Sequence, residues 1–278
     1  MNFAGRTALI TGGTRGIGAA IAEALAAKGC RVILQGLRED GLSRETAERC
    51  RDRAASFHQR SLGADETTAK PSSVHCVFAD LSEPTETSIP DLLAQVDAVD
   101  GEVDILVNNV GTYAEPDFLE VDLSTWERTM RLNVAAGYFL TQAYARRWIA
   151  VDRPGRVLFT GSINGHLAEP NHTVYDTSKG AVHSMVRSLC VALAPRGIRV
   201  NAIAPGLIRT PLTSPALEES QNVKWMELHT PNGRVPEAES CAGAAVFLLS
   251  DEAGHVQGQT LFIDGGMSIW QQPDCPTG

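Results

Sequence analysis

The segment "TALITGGTRGIG" (residues 7–18) carries the strongest structural signal in the chain. An apolar run, typical of a buried strand, ends at a glycine-rich turn, and a helical pattern begins there. Gly12, Gly16 and Gly18 permit a tight turn and a close approach of the backbone to a ligand. The helix start offers free N–H groups and a positive dipole end to a pyrophosphate. The spacing is GxxxGxG rather than GxGxxG, so the context favours nucleotide binding, with an unliganded glycine-rich turn as the alternative.

On the C-terminal side of this loop, strand-like and helix-like segments alternate along the chain. Apolar runs predict seven strands, at 7–11, 31–35, 74–80, 103–109, 156–160, 198–205 and 259–264. Helical periodicity predicts helices at 16–28, 43–58, 88–98, 124–149 and 237–249, and another that contains 174–185 and runs to about 194. This alternation indicates an α/β protein whose parallel sheet is covered by helices on both faces.

The composition is that of a soluble globular protein. The chain has 278 residues, 43% hydrophobic and 21% charged, which suits a single domain over 1–278. The formal net charge is −9 without a basic block, so we expect no nucleic-acid partner. No apolar run approaches the roughly 20 residues that cross a bilayer, and the first residues do not resemble a secretion signal. We therefore predict a cytoplasmic protein without a membrane segment.

Six cysteines form no CxxC pair and no zinc-ligand spacing, so we expect no metal site. Cys30, Cys76 and Cys190 lie in apolar runs and are predicted to be buried free thiols in a reducing compartment. The polar segment 59–73 is interpreted as a surface insertion, and the tail 271–278 as mobile or packed on a partner subunit.

The end of the second predicted strand bears on cofactor choice. In dinucleotide-binding folds an acidic residue there accepts from the ribose 2′-hydroxyl of NAD. This chain has no carboxylate at the strand tip, whereas Arg38 follows it and Arg15 lies in the glycine loop. Two guanidinium groups favour NADP(H) over NAD(H). Glu39 and Asp40 weaken that preference, and solvated arginines are the alternative.

Several motifs together resemble those of the short-chain dehydrogenase/reductase family. They are "TGGTRGIG" (11–18), "NNVG" (108–111), Ser162, and Tyr175 with Lys179 four residues later, and the resemblance covers about 4–268. It implies a doubly wound Rossmann-type domain with a seven-stranded parallel sheet of order 3-2-1-4-5-6-7. It also implies a nicotinamide cofactor and, usually, a homotetramer.

The resemblance places the cofactor contacts in five short motifs. "ADL" (79–81) resembles the segment that meets adenine, and "APGLIRT" (204–210) resembles the segment that turns beside the nicotinamide, where Thr210 meets its carboxamide. Val110 departs from the usual alanine of NNAG. The predicted cofactor contacts, with the two arginines included, are Gly12, Thr14, Arg15, Gly16, Ile17, Gly18, Arg38, Asp80, Leu81, Asn109, Gly111, Tyr175, Lys179, Pro205, Gly206, Ile208 and Thr210.

Four residues are the predicted catalytic group: Asn133, Ser162, Tyr175 and Lys179. Tyr175 is the expected acid/base, because a nearby ammonium and an oxidised nicotinamide both lower a phenol pKa. Ser162 is expected to hydrogen-bond the substrate oxygen, and Asn133 to hold a water that links Lys179 to solvent. Taken singly, these residues have simpler interpretations: a surface Tyr–Lys pair, a turn serine and a surface amide.

The polar segment 207–235 lies where the family keeps its substrate lid. Predicted substrate contacts are Asn164, His166 and Trp225, with His172 in the same loop as His166 and solvated histidines as the alternative. Polar loops favour a small sugar or polyol substrate, whose secondary alcohol and ketone would be interconverted. The alternative is a 3-oxoacyl-carrier-protein reductase, which needs a basic patch such as Arg128 and Arg131.

Two further interpretations concern residues outside this group. His183 and Met185 are predicted to be packed in the core. A nucleotide-binding regulator without turnover is a remote alternative to an enzyme, and both Tyr175 and Lys179 argue against it.

Overall fold

The computed structural model describes residues 1–61, 73–113 and 116–270. Its seven strands form one parallel sheet in the order β3-β2-β1-β4-β5-β6-β7, which confirms the predicted fold class and strand order. The strands are β1 (Thr7–Ile10), β2 (Arg31–Gly36), β3 (Val74–Phe78), β4 (Ile105–Asn108), β5 (Gly155–Thr160), β6 (Ile198–Pro205) and β7 (Thr260–Ile263).

The six predicted helical segments are helical in the structure, but the predicted helix 124–149 is divided in two, and two short helices in the segment 207–235 were not predicted. They are α1 (Gly16–Ala26), α2 (Gly41–Ser61), α3 (Thr85–Asp100), α4 (Leu123–Met130), α5 (Ala136–Ala150), α6 (Thr173–Leu193), α7 (Ser214–Leu217), α8 (Ser220–His229) and α9 (Glu239–Leu249). The predicted helix 124–149 is interrupted by a π turn at Arg131–Ala135, so α4 and α5 are separate.

The described residues include part of the predicted insertion 59–73 and none of the tail 271–278. The first residues of the predicted insertion 59–73 continue α2, whereas 62–72 and the tail 271–278 lie outside the described residues. The predicted lid 207–235 contains the short helices α7 and α8, and its role stays a prediction.

Side chains of β1 to β6 alternate between two cores, one on each face of the sheet. In β1, Ala8 and Ile10 pack with α1, α2 and α9, whereas Leu9 packs with α3, α5 and α6. This period of two explains why the strands are continuous apolar runs: a strand buried on both faces has no solvent side. Helices therefore cover both faces of the sheet, as predicted.

All seven strands run in the same direction, so their carboxyl ends meet at one edge. Asn109, which directly follows β4, connects the loops at that edge through hydrogen bonds. Its amide donates to the backbone oxygens of Thr11 and Gly12 at 3.1 and 3.2 Å, and its oxygen accepts from the Thr160 hydroxyl at 3.1 Å. The loops after β1, β4 and β5 are thereby fixed against one another. This edge is where doubly wound sheets bind ligands.

The described cysteines are free thiols, and Cys30 and Cys190 are buried as predicted. Cys76 is only half-buried, because β3 is an edge strand of the sheet. Over the ranges that the structure describes, no helix has the length and apolar character needed to cross a membrane. In those same ranges no cluster of three or more His, Cys, Asp or Glu side chains could hold a metal ion.

Candidate active site

The glycine loop (residues 11–18) is shaped by its lack of side chains. Gly12 and Gly16 have φ angles of +60° and +55°, which L-residues with a Cβ rarely adopt. A Cβ on Gly18 would lie 2.3 Å from the Gly12 carbonyl oxygen, so only glycine fits there. The start of α1 has no side-chain cap, so its N–H groups remain available to a ligand. This cradle fits the pyrophosphate of a dinucleotide.

Arg15 and Arg38, predicted to favour NADP(H), have different surroundings. The Arg15 guanidinium is paired with the Asp40 carboxylate, whereas Arg38 is exposed beyond the end of β2. Asp40 also accepts from the backbone N–H of Ser43 at 2.9 Å. That hydrogen bond, followed by the one from Arg15, lowers the pKa of Asp40, which is therefore ionised at neutral pH. Asp40 thus holds the arginine that was expected to meet a 2′-phosphate.

Other predicted cofactor contacts occupy the same edge. Thr210 stands over the glycine loop, since a Cβ on Gly16 would lie 3.3 Å from the Thr210 Cβ. Gly111 lies beside Lys179, whose Nζ would be 3.8 Å from an added Cβ. Asp80 is exposed at the end of β3 and accepts from the Ser82 N–H at 2.8 Å.

Three predicted contacts are held within the protein. Leu81 and Ile208 are 2% exposed, and the Asn109 amide is engaged in holding the sheet edge. These side chains shape the edge of the sheet at which a cofactor would bind.

Tyr175 and Lys179 lie one turn apart at the start of α6, as the spacing predicted. The Lys179 Nζ lies 5.6 Å from the centre of the Tyr175 ring and donates to the Thr160 carbonyl oxygen at 3.0 Å. Burial lowers the pKa of Lys179 to about 8. The ammonium is thus held under the tyrosine rather than against its hydroxyl.

The predicted lowering of the Tyr175 pKa is not produced by the protein groups. Burial raises the pKa of Tyr175 to about 12, and a hydrogen bond with Ser162 opposes this rise. Carboxylates at Asp176 and Glu169 raise it further. The expectation named the ammonium and the oxidised nicotinamide, and it did not weigh the desolvation of the phenol or the two acids nearby, which act in the opposite direction. The phenol is protonated at neutral pH in these surroundings.

Asn133 lies in the π turn and connects two parts of the site. Its oxygen accepts from the Thr112 N–H at 2.8 Å, and its amide donates to the Thr112 carbonyl at 3.0 Å and to the Ser178 hydroxyl at 2.9 Å. Both amide N–H groups are used, so the side chain could hold the predicted water only through the remaining lone pair of its oxygen. The loop after β4 is tied to α6 in this way.

The predicted substrate contacts do not lie together. Asn164 is buried beside Ser162, with its N–H 3.1 Å from the Ser162 hydroxyl oxygen. His166 is exposed and turns its ring edge towards Phe262 of β7. Trp225 is half-exposed on α8 and stacks on His229 with ring centroids 3.8 Å apart. The structure therefore brings only Asn164 to the four catalytic candidates.

His183 and Met185 are buried as predicted. The His183 ring lies under the loop that carries Ser162, in space left by Gly161 and Gly165, whose added Cβ atoms would lie 2.8 and 2.5 Å from it. Burial, as the largest cause, lowers the pKa of His183. This histidine supports the Ser162 loop from below.

One aromatic neighbour of Tyr175 was missed by sequence reasoning. The Tyr113 ring meets the Tyr175 ring edge-on, with centroids 5.3 Å apart, and its hydroxyl lies 2.9 Å from Nε2 of His172. The only sequence signal was position: Tyr113 follows "NNVG" at the carboxyl end of β4, on the edge that carries the site.

Comparisons with known proteins agree with this geometry. A family model described as enoyl-(acyl carrier protein) reductase matches residues 12–268. The L-rhamnose 1-dehydrogenase (NADP(+)) of Thermoplasma acidophilum is 33% identical, over 97% of this chain and 98% of its own. The 3-oxoacyl-[acyl-carrier-protein] reductase FabG of Escherichia coli K12 is 34% identical, over 96% and 99%.

A solved structure has the same fold and a bound nucleotide. The putative 2-deoxy-D-gluconate 3-dehydrogenase from Agrobacterium tumefaciens, with bound NADP, superimposes with a TM-score of 0.80 at 32% identity, over 96% of this chain and 97% of its own. Together with the strand order and the placement of Ser162, Tyr175 and Lys179, these matches show that the chain belongs to the short-chain dehydrogenase/reductase family of oxidoreductases.

Proposed function

We propose that the protein is an NAD(P)-dependent oxidoreductase that interconverts a secondary alcohol and a ketone of a small sugar or polyol. Among similar proteins are an L-rhamnose 1-dehydrogenase and a gluconate 5-dehydrogenase. The observation that carries the proposal is the ring of polar side chains beside Ser162 and Tyr175. A substrate rich in hydroxyl groups can hydrogen-bond to such side chains, whereas an apolar one would remove water from them without replacing its hydrogen bonds.

The roles of the catalytic candidates follow from their surroundings. When bound, the nicotinamide cofactor supplies or accepts the hydride. Burial keeps the Tyr175 phenol protonated, so in the reducing direction it donates its proton to the substrate oxygen as that oxygen becomes negative. Ser162 donates a hydrogen bond to the same oxygen. Lys179, fixed by the Thr160 carbonyl, places a positive charge behind the ring and stabilises phenolate once the proton has left.

The polar ring is built mainly from the loop between β5 and α6. Asn164 donates to the Glu169 carboxylate at 3.1 Å and to Asp176 at 2.9 Å, and Asp176 also accepts from the Glu169 backbone N–H at 2.9 Å. Carboxylates accept hydrogen bonds and suit the O–H donors of a polyol. An acyl chain offers no such donors.

The second candidate function is β-ketoacyl reduction, which the 34% identical reductase from E. coli favours. Docking of an acidic carrier protein calls for a joint basic patch. Arg128 is exposed, but Arg131 is half-buried and donates to the Ser82 carbonyl at 3.1 Å. The two arginines therefore do not present one shared basic surface, which supports the sugar or polyol assignment.

NADP(H) is the favoured cofactor, with NAD(H) also accepted. Arg15 and Arg38 supply positive charge near the predicted position of a 2′-phosphate, and no carboxylate stands at the tip of β2. Asp40 competes for Arg15, so discrimination between the two cofactors is expected to be modest. The bound NADP of the Agrobacterium relative supports the same preference.

A homotetramer in the cytoplasm is the proposed assembly and location. Half-exposed aromatic side chains on α4 and α5, namely Trp126, Tyr138 and Phe139, are 40–43% exposed in the single chain. Contiguous apolar surface of this kind marks protein interfaces, and second copies of the chain would cover it. The described free thiols suit a reducing compartment. Light scattering on the purified protein tests the assembly, and a monomer would contradict it.

The function is tested by the change in nicotinamide absorbance against a substrate panel with NADP⁺ and NAD⁺, or NADPH and NADH. The panel holds aldoses, polyols, simple secondary alcohols and a β-ketoacyl thioester. Turnover of aldoses or polyols is the expected result. Reduction of the thioester alone would assign the alternative function, and cofactor binding without any turnover would point to the nucleotide-binding regulator.

A further inference from the structure

A second phenol lies beside Tyr175 and belongs to the same site. The Tyr113 and Tyr175 rings are nearly perpendicular, at 86°, with centroids 5.3 Å apart, a favourable edge-to-face arrangement. Tyr113 is half-buried in the loop after β4, next to Thr112, which Asn133 holds through two hydrogen bonds. Its position relative to the predicted acid/base is therefore fixed from both sides.

A buried histidine orients the Tyr113 hydroxyl. His172 is 7% exposed, and its Nε2 lies 2.9 Å from the Tyr113 oxygen while its Nδ1 lies 3.3 Å from the Glu169 carboxylate. The hydrogen bond with His172 lowers the pKa of Glu169, so this acid is ionised near neutrality. The His172 tautomer with its proton on Nδ1, facing the Glu169 carboxylate, has Nε2 as the acceptor for the Tyr113 hydroxyl. The Tyr113 proton then points to His172, and the phenol oxygen presents lone pairs to its other neighbours.

The same carboxylate is linked to the predicted catalytic serine. Asn164 donates to Glu169 at 3.1 Å, and its own backbone N–H donates to the Ser162 hydroxyl oxygen at 3.1 Å. The path Ser162–Asn164–Glu169–His172–Tyr113 thus closes around the Tyr175 ring. The Tyr113 hydroxyl is thereby connected to the predicted catalytic serine through residues of the loop between β5 and α6.

We propose that Tyr113 is a specificity-determining residue, whose phenol oxygen accepts a hydrogen bond from a hydroxyl group on the carbon next to the reacting carbon of the substrate. His172 and Glu169 act as positioning residues that keep this oxygen an acceptor. The inference rests on the proposed sugar or polyol function and names the substrate group that the site recognises. A substrate with a methylene at that carbon cannot donate to the Tyr113 oxygen, and sites built for a hydroxyl discriminate strongly against analogues that lack it.

The test compares matched substrates that differ in that single hydroxyl. The pairs are trans-1,2-cyclohexanediol with cyclohexanol and D-glucose with 2-deoxy-D-glucose, assayed at pH 8 with saturating NADP⁺. Wild type is expected to prefer the hydroxylated member. Tyr113→Phe keeps the ring but removes the hydroxyl, and it should lower kcat/KM for the hydroxylated member by about 10- to 100-fold, mainly through KM. The value for the other member should stay within about twofold.

Two further variants separate recognition from structure. Tyr138→Phe makes the same change on the half-exposed face of α5 and should leave both values unchanged. Glu169→Gln removes the charge that sets the His172 tautomer, and it should reduce discrimination in the same direction as Tyr113→Phe but by less. Affinity for NADPH, measured by fluorescence, should be the same in all four proteins.

The outcomes distinguish this inference from the proposed function. A wild-type enzyme that turns over no hydroxylated probe contradicts both. A wild type that turns over hydroxylated probes without preferring them, or a Tyr113→Phe variant that keeps the preference, contradicts only the role of Tyr113. Equal losses for both members of a pair in Tyr113→Phe would mean that the hydroxyl supports the site in general, and they would overturn the inference too.

Discussion

The glycine loop and the Ser162 loop (residues 161–172) occupy equivalent places in the fold but are built differently. Each follows a parallel strand, β1 or β5, and leads to a helix at the carboxyl edge of the sheet. The glycine loop is shaped by backbone geometry and absent Cβ atoms. The Ser162 loop is shaped by side chains that bond across the site, to Asp176 and Tyr113. A site made of backbone depends on local sequence, whereas a site made of side chains depends on partners far along the chain.

The largest effect on activity is expected at Tyr175, next to the Ser162 loop, where side chains form the site. Tyr175→Phe removes the hydroxyl that transfers the proton, so kcat/KM should fall by about 10²- to 10⁴-fold. Affinity for NADPH, measured by fluorescence titration, should be unchanged because the substitution keeps the aromatic ring and does not alter the glycine loop. A variant that keeps more than about a tenth of wild-type activity would contradict the assigned role and with it the importance of side-chain chemistry in this half of the site.

A substitution in the glycine loop should act differently, by distorting the backbone that forms the loop. In Gly18→Ala the new Cβ would lie 2.3 Å from the Gly12 carbonyl and 2.6 Å from the Asn109 amide. Overpacking of this kind costs about 1–3 kcal/mol, so we expect a lower Tm and at least a tenfold loss of NADPH affinity.

Gly243→Ala on α9 is the matched control for this clash. A Cβ there meets nothing within 4 Å, so both the Tm and the NADPH affinity should be retained. Tight NADPH binding by Gly18→Ala would show that the loop tolerates side chains, and the contrast between the two regions would disappear.

The same contrast explains what could be predicted from the sequence. The strands of the sheet and the glycine loop were predicted because apolar runs and glycine spacing are local signals, whereas the strand order followed from the family resemblance. The π turn at 131–135 was missed because the helical period of 124–149 continues through it. Tyr113 was missed because its partner His172 is 59 residues away. The rise that burial causes in the pKa of Tyr175 was not predicted, because burial is set by tertiary packing, which adjacent residues do not reveal.

Burial of Lys179 should make stability depend on pH. Its pKa is about 8 in the folded protein and 10.5 in the reference state, so between these values the unfolded chain binds more protons. The contribution of Lys179 to the free energy of unfolding therefore rises as the pH increases from about 8 to 10.5. Lys179→Met lacks the effect, so its stability relative to wild type should be highest at pH 7.5 and should fall by about 2 kcal/mol by pH 10.

Urea unfolding of the two proteins at pH 7.5, 9 and 10 measures this difference. The cysteines also titrate in this range in the unfolded chain, since burial raises their pKa in the folded protein, but they are common to both proteins and cancel in the comparison. If the difference in unfolding free energy between the two proteins does not change with pH, Lys179 is well solvated. The site around Lys179 and Tyr175 would then be more open than its geometry implies.

The smallest effect is expected for Arg15 and Asp40, whose side chains pair beside the glycine loop. Asp40→Asn removes the charge that holds Arg15 but keeps an oxygen that can accept from Ser43. Arg15 is then free to meet a 2′-phosphate, so the ratio of kcat/KM for NADP⁺ over NAD⁺ should rise about two- to fivefold, the range typical of an exposed ion pair. Glu39→Gln changes net charge equally in the same turn but releases Arg44 instead, and it should leave the ratio near its wild-type value. An equal rise in both variants would assign the effect to long-range charge. No rise in Asp40→Asn would mean that Arg15 does not contact the 2′-phosphate, so the glycine loop would select its ligand through backbone contacts alone.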